Sequence, residues 1–210
     1  MSERPDPVEA SRRYAELAAT YERRVRLTSR WRPTAVRRLR LQPGDHALDV
    51  GCGTGANFPY LVAAVGPTGL VTGVDVSDAM AARAGARATE AGWDNVNVVV
   101  GDAATAPLPE MVDGALFFLV HDLLRSRTVL DRNIAACRPG ARIVAFGPKR
   151  VTRWWAWPLN AALRRSIEPY VTTFEGLDAP WDHLLRRLDE LSIGSLALGT
   201  LYLAHGRVPE

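Results

Sequence analysis

Short apolar runs alternate with helical patterns from Ala47 onward, and this alternation is the main structural signal in the chain. Val, Leu, Ile and Phe fill most positions of the runs, which predicts strands that are buried on both faces of a parallel sheet. The predicted strands are His46–Val50, Leu70–Val76, Val96–Val100, Ala115–Val120 and Arg142–Phe146. Helices are predicted to begin near Ala56, Asp78 and Thr128. The alternation therefore predicts an α/β, doubly wound fold with helices on both faces of the sheet.

Both ends of the chain depart from this alternation. Residues 8–30 carry an apolar stripe at helical spacing, and a second helix is predicted from Pro33. Near the other end, the spacing of Trp181, Leu184, Leu185 and Leu188 predicts an amphipathic helix. The segments Ser192–Leu198 and Thr200–His205 then predict an antiparallel hairpin with its turn at Gly199. The result is a seven-stranded, mostly parallel sheet that ends in a hairpin.

Length and composition favour one globular domain. The chain has 210 residues, of which 47% are hydrophobic and 23% charged, and its net charge is +3. The longest apolar runs, such as Ala115–Val120, are too short to span a bilayer, and residues 1–9 are not typical of a signal peptide. We therefore expect a cytoplasmic protein. Cys52 and Cys137 lack the spacing of a metal site, and no metal is expected.

A glycine-rich run follows the first predicted strand, where Gly51, Gly53 and Gly55 let the backbone turn and approach a ligand. Asp75 ends the second strand, where its carboxylate can accept hydrogen bonds from two ribose hydroxyls. This pattern also describes a dinucleotide site. However, Ala56 stands where that fingerprint has its last glycine, and Asp49 suits a cationic ammonium better than a pyrophosphate. A nicotinamide-dependent oxidoreductase remains a less favoured alternative.

Several separate blocks of the sequence resemble the class I S-adenosylmethionine-dependent methyltransferase family, in particular its small-molecule branch with quinone-biosynthesis enzymes. The blocks are Asp49–Gly55, Val74–Met80, Gly101–Ala103, Leu119–Asp122 and Arg138–Gly140. Tyr14, Ala18 and Tyr21 match a helix that closes over the cofactor in that branch. One departure is Ala141, where the family usually has a second glycine.

The resemblance implies a Rossmann-like fold and S-adenosylmethionine as the cofactor. In the family, the glycine run surrounds the amino acid half of the cofactor, Asp75 holds the ribose, and Asp102 accepts the adenine amino group. The implied cofactor-binding residues are Tyr14, Tyr21, Asp49, Gly51, Cys52, Gly53, Gly55, Asp75, Val76, Met80, Asp102, Ala103 and Val120. The expected parts of the domain are a helical lid (1–45), a cofactor-binding core (46–147), a substrate-side cap (148–180), and a last helix with the edge hairpin (181–210).

Methyl transfer from a sulfonium mainly requires alignment of donor and acceptor, and a general base only if the acceptor carries a proton. His121 is the candidate catalytic base, because it follows the fourth strand and its pKa suits proton removal near neutrality. The alternative is that His121 bonds the following helix or lines the cofactor pocket. Asp122 is expected to cap a helix, and His183 to be solvated or packed.

The aromatic segment after residue 147 is expected to select the substrate. Trp154, Trp155 and Tyr170 are the predicted substrate-binding residues, and they favour a small amphipathic or aromatic metabolite. A nitrogen or oxygen acceptor is favoured over carbon, and a lipid- or quinone-like acceptor fits the pattern. The tryptophans with Arg153 and neighbouring arginines also suit a peripheral membrane contact, and ordinary core packing is a third interpretation.

Nucleic acid is not expected as a substrate, because Leu119–Asp122 lacks the Asp/Asn-Pro-Pro-aromatic run of amino-methylating nucleic-acid enzymes. The oligomeric state does not follow from the sequence. A protein that binds the cofactor without transferring its methyl group, as a partner subunit or a catalyst of a rearrangement, remains an alternative.

Overall fold

The computed structural model describes residues 11–12 and 26–210. Its strands are β1 His46–Val50, β2 Leu70–Asp75, β3 Val96–Val100, β4 Val112–Phe118, β5 Cys137–Pro148, β6 Asp189–Leu196 and β7 Leu201–Arg207. Its α-helices in the described ranges are α1 Arg26–Ser29, α2 Arg32–Leu39, α3 Phe58–Val65, α4 Asp78–Glu90, α5 His121–Arg125, α6 Arg127–Ala135 and α7 Trp157–Ile167. Short 3₁₀ turns cover Trp154–Ala156 and Ala197–Gly199.

The seven strands form one sheet in the order β3-β2-β1-β4-β5-β7-β6. Strands β1 to β5 pair in parallel, whereas β7 runs antiparallel to both β5 and β6. The predicted doubly wound, mostly parallel sheet with a C-terminal antiparallel pair is confirmed. The strand order reverses between β1 and β4, and such a switch point opens a crevice at the carboxyl ends of the strands. The candidate site lies at this edge.

Helices cover both faces of the sheet, as the apolar composition of the strands predicts. On one face, α2 and α3 pack Leu39, Phe58 and Leu61 against the strands. On the other face, α6 contributes Leu130, which packs in the same cluster as Leu48 and the other strand residues of that side. The two clusters hold the strand ends in fixed positions, so the turns at the carboxyl edge are built on a rigid sheet.

The segment after Pro180 differs from the prediction, because residues 181–187 form consecutive turns instead of an amphipathic helix. The backbone N–H groups of Leu184 and Arg187 each bond a carbonyl three residues earlier, so no regular α-helical ladder develops. Leu184 and Leu188 are nevertheless buried, whereas Leu185 is exposed. The apolar spacing therefore identified two buried side chains, but it was wrong for Leu185 and for the backbone geometry.

At the N-terminal side, α2 begins at Arg32 with Pro33 in its first turn, as predicted. Most of the expected lid, including Tyr14, Ala18 and Tyr21, lies outside the residues that the structure describes. No helix in the described ranges is long and apolar enough to cross a bilayer.

Candidate active site at the carboxyl edge of the sheet

The glycine loop after β1 folds back onto β2. The backbone N–H groups of Gly51 and Cys52 both donate to the carbonyl of Val74, at 2.8 and 3.0 Å. Gly51 adopts a φ of 69°, and a Cβ placed there would come within 2.6 Å of Val120 Cγ1. Gly55 adopts a φ of 71°, and a Cβ there would lie 2.7 Å from the Phe58 ring. The loop therefore needs glycine for both its conformation and its packing.

Asp75 connects the turn after β1 with the turn after β2. Its Oδ2 accepts a hydrogen bond from the Gly53 backbone N–H at 2.8 Å, and its Oδ1 accepts one from the Ser77 N–H at 2.9 Å. Burial raises the pKa of Asp75, while the two backbone hydrogen bonds oppose that rise. Since a carboxylate oxygen has about two acceptor sites, each oxygen can still accept a hydroxyl. Asp75 is thus suited to hold a vicinal diol.

Ser77 adds an unused hydroxyl beside Asp75. It is the residue before α4, and its side chain makes no capping hydrogen bond. Its Oγ is buried and has no partner among the described residues. Buried polar atoms are normally hydrogen-bonded, so an unpartnered hydroxyl here fits a site that receives a polar ligand.

The turn after β3 is organised by Asp102. Its Oδ1 accepts a hydrogen bond from the Ala104 N–H at 2.9 Å, and its backbone carbonyl accepts from Thr105 and Ala106. Ala103 is buried in this turn. Asp102 follows the carboxyl end of β3, as Asp75 ends β2, so both acids lie at the same edge of the parallel sheet. After β2, Val76 is half-buried, and Met80 in the first turns of α4 is fully buried.

Asp49 lies deeper than the sequence suggests. It is fully buried, and both of its carboxylate oxygens accept from Asn57 Nδ2 at 3.0 Å. Burial raises the pKa of Asp49 to about 7, although the Asn57 hydrogen bond and the nearby Arg32 charge oppose the rise and Asp75 adds to it. Asp49 therefore lies buried in β1, bonded to Asn57, instead of facing solvent at the edge of the sheet.

Arg32 and Asn57 are two further residues of this site, and neither was predicted from the sequence. The Arg32 guanidinium donates to Asn57 Oδ1 and lies over the Phe118 ring at 4.4 Å. Asn57 precedes α3, a position that ordinarily indicates a helix cap, yet its side chain makes no capping bond and turns to Asp49 instead. Because Arg32 is 25 residues away from Asn57, no local pattern reveals this buried chain of polar groups.

His121 begins α5, directly after the turn that follows β4. It is only 4% exposed, and its Nε2 lies 3.0 Å from the backbone carbonyl of Glu175. Since a carbonyl only accepts, Nε2 carries the hydrogen, and a neutral ring keeps its lone pair on Nδ1. Nδ1 is buried without a partner among the described residues. Burial lowers the pKa of His121, although Asp122 opposes this, so the ring is neutral at neutral pH.

The short helix α5 holds the segment that follows α7. Asp122 Oδ2 accepts from both the backbone N–H and the hydroxyl of Thr172, each at 2.7 Å. Arg125 forms an ion pair with Asp182. Asp122 was expected to cap a helix, and the structure shows instead that it anchors residues 172–182 together with its neighbours.

The backbone between β4 and α5 is strained. Leu119 has a φ of 63°, a region that non-glycine residues rarely adopt, and its N–H is held by the carbonyl of Phe146 at 2.8 Å. Such strain occurs often at functional sites, where the surrounding structure fixes an unusual conformation. No sequence pattern indicates this strain, because a leucine in this position predicts a regular strand end.

The three residues predicted to bind substrate occupy different environments. Trp154 is 88% exposed and Trp155 is 49% exposed, so neither side chain is enclosed by the described residues. Tyr170 is half-buried, and its backbone N–H bonds the carbonyl of Ile167. The structure therefore places the two tryptophans on an outer surface of the cap segment rather than in an enclosed pocket.

Neither a metal cluster nor a reactive thiol is evident in the described ranges. No group of three or more His, Cys, Asp or Glu side chains there could hold a metal ion. Cys52 and Cys137 are free and buried, and burial raises the pKa of Cys137 to about 12. His183 is partly buried, and its Nε2 lies 3.8 Å from Asp182 Oδ1.

Residues 47–140 match the family described as "Methyltransferase domain". A demethylmenaquinone methyltransferase of Anoxybacillus flavithermus is 31% identical over 142 residues, which is 67% of this chain and 60% of that protein. A nocamycin O-methyltransferase of Saccharothrix syringae is 35% identical over 137 residues, covering 62% of this chain and 48% of that protein. The chain thus spans about half to three-fifths of the length of these curated relatives.

A solved structure supports the same fold. The N-methyltransferase NodS from Bradyrhizobium japonicum, in complex with S-adenosyl-L-homocysteine, superposes with a TM-score of 0.62 at 24% identity. The superposition covers 86% of this chain and 87% of that one. The matched residues 47–140 begin in β1 and include the glycine loop, Asp75, Asp102 and His121. Residues 47–140 are therefore similar to a methyltransferase domain, and the chain shares its fold with this S-adenosyl-L-homocysteine complex.

Proposed function

We propose that this protein transfers the methyl group of S-adenosylmethionine to the nitrogen or oxygen of a small amphipathic or aromatic metabolite. The observation that carries the proposal is the pair of carboxylates at the glycine loop. Asp75 lies close enough to Asp49 for its negative charge to help raise the pKa of Asp49, which is fully buried, and Asp75 itself is half-buried beside it. A ligand with a positive charge relieves this repulsion, whereas a pyrophosphate adds to it.

The residues at the edge fit the parts of this cofactor. Asp75 offers two carboxylate oxygens with free acceptor sites for the two ribose hydroxyls, and Ser77 Oγ adds a polar partner. Asp102 suits the adenine amino group, with Ala103, Val76 and Met80 as apolar neighbours of the ring. The glycine loop would adjoin the amino acid half, whose ammonium benefits from the charge of Asp49 below it. When bound, the cofactor supplies a methyl carbon attached to a cationic sulfur.

His121 is suited to act as the general base. The Glu175 carbonyl holds the hydrogen on Nε2, so the unpartnered Nδ1 is the basic atom, and burial keeps the ring neutral. The cofactor would supply the methyl group that the acceptor atom takes up, and His121 Nδ1 would remove the proton that this atom carries. This role favours an N–H or O–H acceptor.

The acceptor class is inferred from the matched relatives and from the aromatic residues of the cap. The matched relatives carry names that refer to a demethylated menaquinone and to nocamycin, which are both small molecules. Tyr170 is half-buried and adds aromatic surface close in sequence to Thr172, which Asp122 of α5 anchors. A small metabolite with an aromatic or amphipathic body fits both observations, and the alternative of carbon as the acceptor atom is the less favoured one.

Calorimetric titration of the full chain with S-adenosylmethionine, S-adenosylhomocysteine and NAD tests the cofactor. We expect both sulfur compounds to bind and NAD not to bind. The transfer is tested by incubating the protein with S-adenosylmethionine labelled in its methyl group and a panel of phenols, amines and quinols. Binding of NAD alone would overturn the proposal. Cofactor binding with no labelled product from any acceptor class would favour a protein that uses the cofactor without methyl transfer.

A further inference from the structure

Three tryptophans project from one short stretch of the cap segment. Trp154, Trp155 and Trp157 are 88%, 49% and 73% exposed, respectively. Tryptophan is highly buried on average in globular proteins, and an indole in contact with water leaves a large apolar area uncovered. Neighbouring exposed apolar side chains of this kind mark an interaction site more often than a random surface.

These tryptophans belong to an ordered element. Trp154 and Trp155 form the 3₁₀ turn that leads into α7, and Trp157 is the first residue of that helix. Asn160, in the first turn of α7, ties the helix to the chain that leaves β5. Its Oδ1 accepts from the Val151 N–H at 3.0 Å, and its Nδ2 donates to the Val151 carbonyl at 2.8 Å. The indoles are therefore presented on a helix that is pinned to the end of the sheet.

Helix α7 has one half-buried side and one outward side. Leu159, Leu163 and Ile167 are four residues apart and are half-buried, which makes them the inward stripe. No residue of the helix is fully buried. The outward stripe runs from Trp157 through Ala161 to Arg165, and these residues are exposed. The outward side thus combines apolar residues at its start with a cation near its end.

The charge of this segment has a single sign. Residues 149–167 contain five cations and not one Asp or Glu: the cations are Lys149, Arg150, Arg153, Arg164 and Arg165. Arg150 is bound in an ion pair with Asp178, and Arg164 lies over the Phe174 ring at 4.6 Å. Arg153 and Arg165 are exposed, with no ion pair to a described residue. Their charges are therefore available to an anionic partner.

The segment emerges from the same edge of the sheet as the candidate active site. Strand β5 ends at Pro148 and runs parallel to β4, so its carboxyl end lies on the side of the glycine loop. The Lys149 N–H bonds the carbonyl of Thr200 at 2.8 Å, which fixes the direction in which the chain leaves the sheet. A partner bound to the tryptophans would consequently lie on the active-site side of the molecule.

We propose that the surface formed by Trp154, Trp155, Trp157, Arg153 and Arg165, which we call the tryptophan surface, docks onto a bilayer that contains anionic lipids. Indole rings partition to the headgroup region of a bilayer, where one end of the ring contacts acyl chains and the other contacts water. Arginines on the same element are attracted by anionic headgroups, and the five cations of residues 149–167 outnumber the one exposed carboxylate that follows them, Glu168 at the end of α7. Docking would present the carboxyl edge of the sheet to molecules dissolved in the membrane. The docking itself does not depend on the proposed methyl transfer.

The test is co-sedimentation of the full chain with vesicles of phosphatidylcholine, with and without phosphatidylglycerol. We expect binding to the anionic vesicles that weakens at high salt, and much weaker binding to the neutral ones. Trp154→Ser with Trp157→Ser, and separately Arg153→Gln with Arg165→Gln, should each reduce the partition coefficient at least about tenfold. The matched controls are Leu185→Ser for an exposed apolar residue and Arg127→Gln with Arg186→Gln for exposed cations, and these should leave it unchanged.

Failure to bind anionic vesicles would overturn the proposal, and so would equal binding by the tryptophan variant. Sedimentation equilibrium separates one further outcome: a wild-type dimer that becomes monomeric in the tryptophan variant would mean that a second copy covers this surface instead. Thermal unfolding of the same samples shows that each variant is folded. Calorimetric titration with S-adenosylmethionine on these samples keeps the two proposals separable, because cofactor binding can fail while vesicle binding persists, and vesicle binding can fail while cofactor binding persists.

Discussion

The imidazole of His121 donates a hydrogen bond from Nε2 to the backbone carbonyl of Glu175, at 3.0 Å and across 54 residues of sequence. This bond gives one side chain two functions. It anchors the segment after α7, together with the Asp122–Thr172 contacts, and it fixes the tautomer that leaves Nδ1 unprotonated. A substitution of His121 therefore tests the chemistry only if it leaves the segment anchored.

His121→Gln separates the two functions, because a glutamine amide can donate to the Glu175 carbonyl but cannot accept a proton. If Nδ1 is the base, His121→Gln should lower kcat by about 100-fold or more, the usual contribution of a general base. The dissociation constant for S-adenosylmethionine should stay unchanged, and the acidic limb of the pH–rate profile should disappear. Steady-state kinetics with the identified acceptor and calorimetry provide both measurements.

Thr172→Val is the control for the anchoring function. It removes the hydroxyl bond to Asp122 but leaves the imidazole intact. We expect Thr172→Val to raise the KM for the acceptor while the pH–rate profile keeps its shape. Wild-type turnover in His121→Gln, with a defect only in His121→Ala, would show that His121 is a positioning residue.

Most of the fold follows from the sequence because its strands are bounded by clear signals. His46–Val50 and Val96–Val100 were predicted with the bounds that the structure shows, since charged or glycine-containing turns flank both runs. Strand β5 is longer than predicted at both ends. Its extension to Pro148 depends on pairing with Leu201, and this long-range contact has no counterpart in local composition.

The site was predictable only where it is local. The glycine loop and Asp75 follow from spacing along the chain, because turns at strand ends have their own residue requirements. The Arg32–Asn57–Asp49 chain, the strained Leu119 and the Glu175 partner of His121 depend on contacts between distant segments. A pattern of residue types does not encode such contacts, so the depth of Asp49 emerged only from the three-dimensional structure.

Asp75→Asn should weaken S-adenosylmethionine binding by about 1–3 kcal/mol, the scale for unpaired buried hydrogen-bonding groups. An asparagine offers one acceptor oxygen where Asp75 has two, so one of its bonds to the Gly53 N–H, the Ser77 N–H or the ribose is lost. Calorimetry measures the affinity, and thermal unfolding measures stability. Asp78→Asn, an exposed acid in the first turn of α4, is the control and should bind as the wild type does. Unchanged affinity in Asp75→Asn would refute the assignment of the ribose to this residue.

Gly51→Ala should destabilise the fold by about 1–3 kcal/mol, because the new Cβ meets Val120 Cγ1 at 2.6 Å and the φ of 69° disfavours an L-residue. Gly85→Ala is the matched control. Gly85 lies inside α4 with open space around its Cβ position, so alanine there should stabilise the protein by about 0.5–1 kcal/mol. Urea unfolding measures both. Adding Val120→Ala should restore part of the stability that Gly51→Ala loses, because it removes the side chain that the new Cβ meets. If the double variant instead loses the sum of the stabilities that the two single variants lose, the predicted clash is excluded.

The buried carboxyl of Asp49 makes stability depend on pH. Burial raises its pKa in the folded protein to about 7, from an ordinary value of 3.8. Between these two values the folded state keeps a proton that the unfolded state has lost. The free energy of unfolding contributed by this group therefore falls as the pH rises from about 4 to about 7, and then levels off.

Asp49→Asn removes this titration while it preserves the shape of the side chain. As the pH rises across that range, the unfolding free energy of the wild type should therefore fall by a few kcal/mol relative to that of Asp49→Asn. The magnitude follows because one pKa unit corresponds to about 1.4 kcal/mol. Urea unfolding in a series of buffers gives this difference, in which the titration of the other groups cancels.

A cationic cofactor near the loop favours the charged carboxylate, so S-adenosylmethionine should also release protons on binding near pH 6.5, about half a unit below the raised pKa. Calorimetry in two buffers of different ionisation enthalpy measures that release. A pH-independent difference together with no proton release would mean that Asp49 is ionised throughout, held so by Asn57 and Arg32.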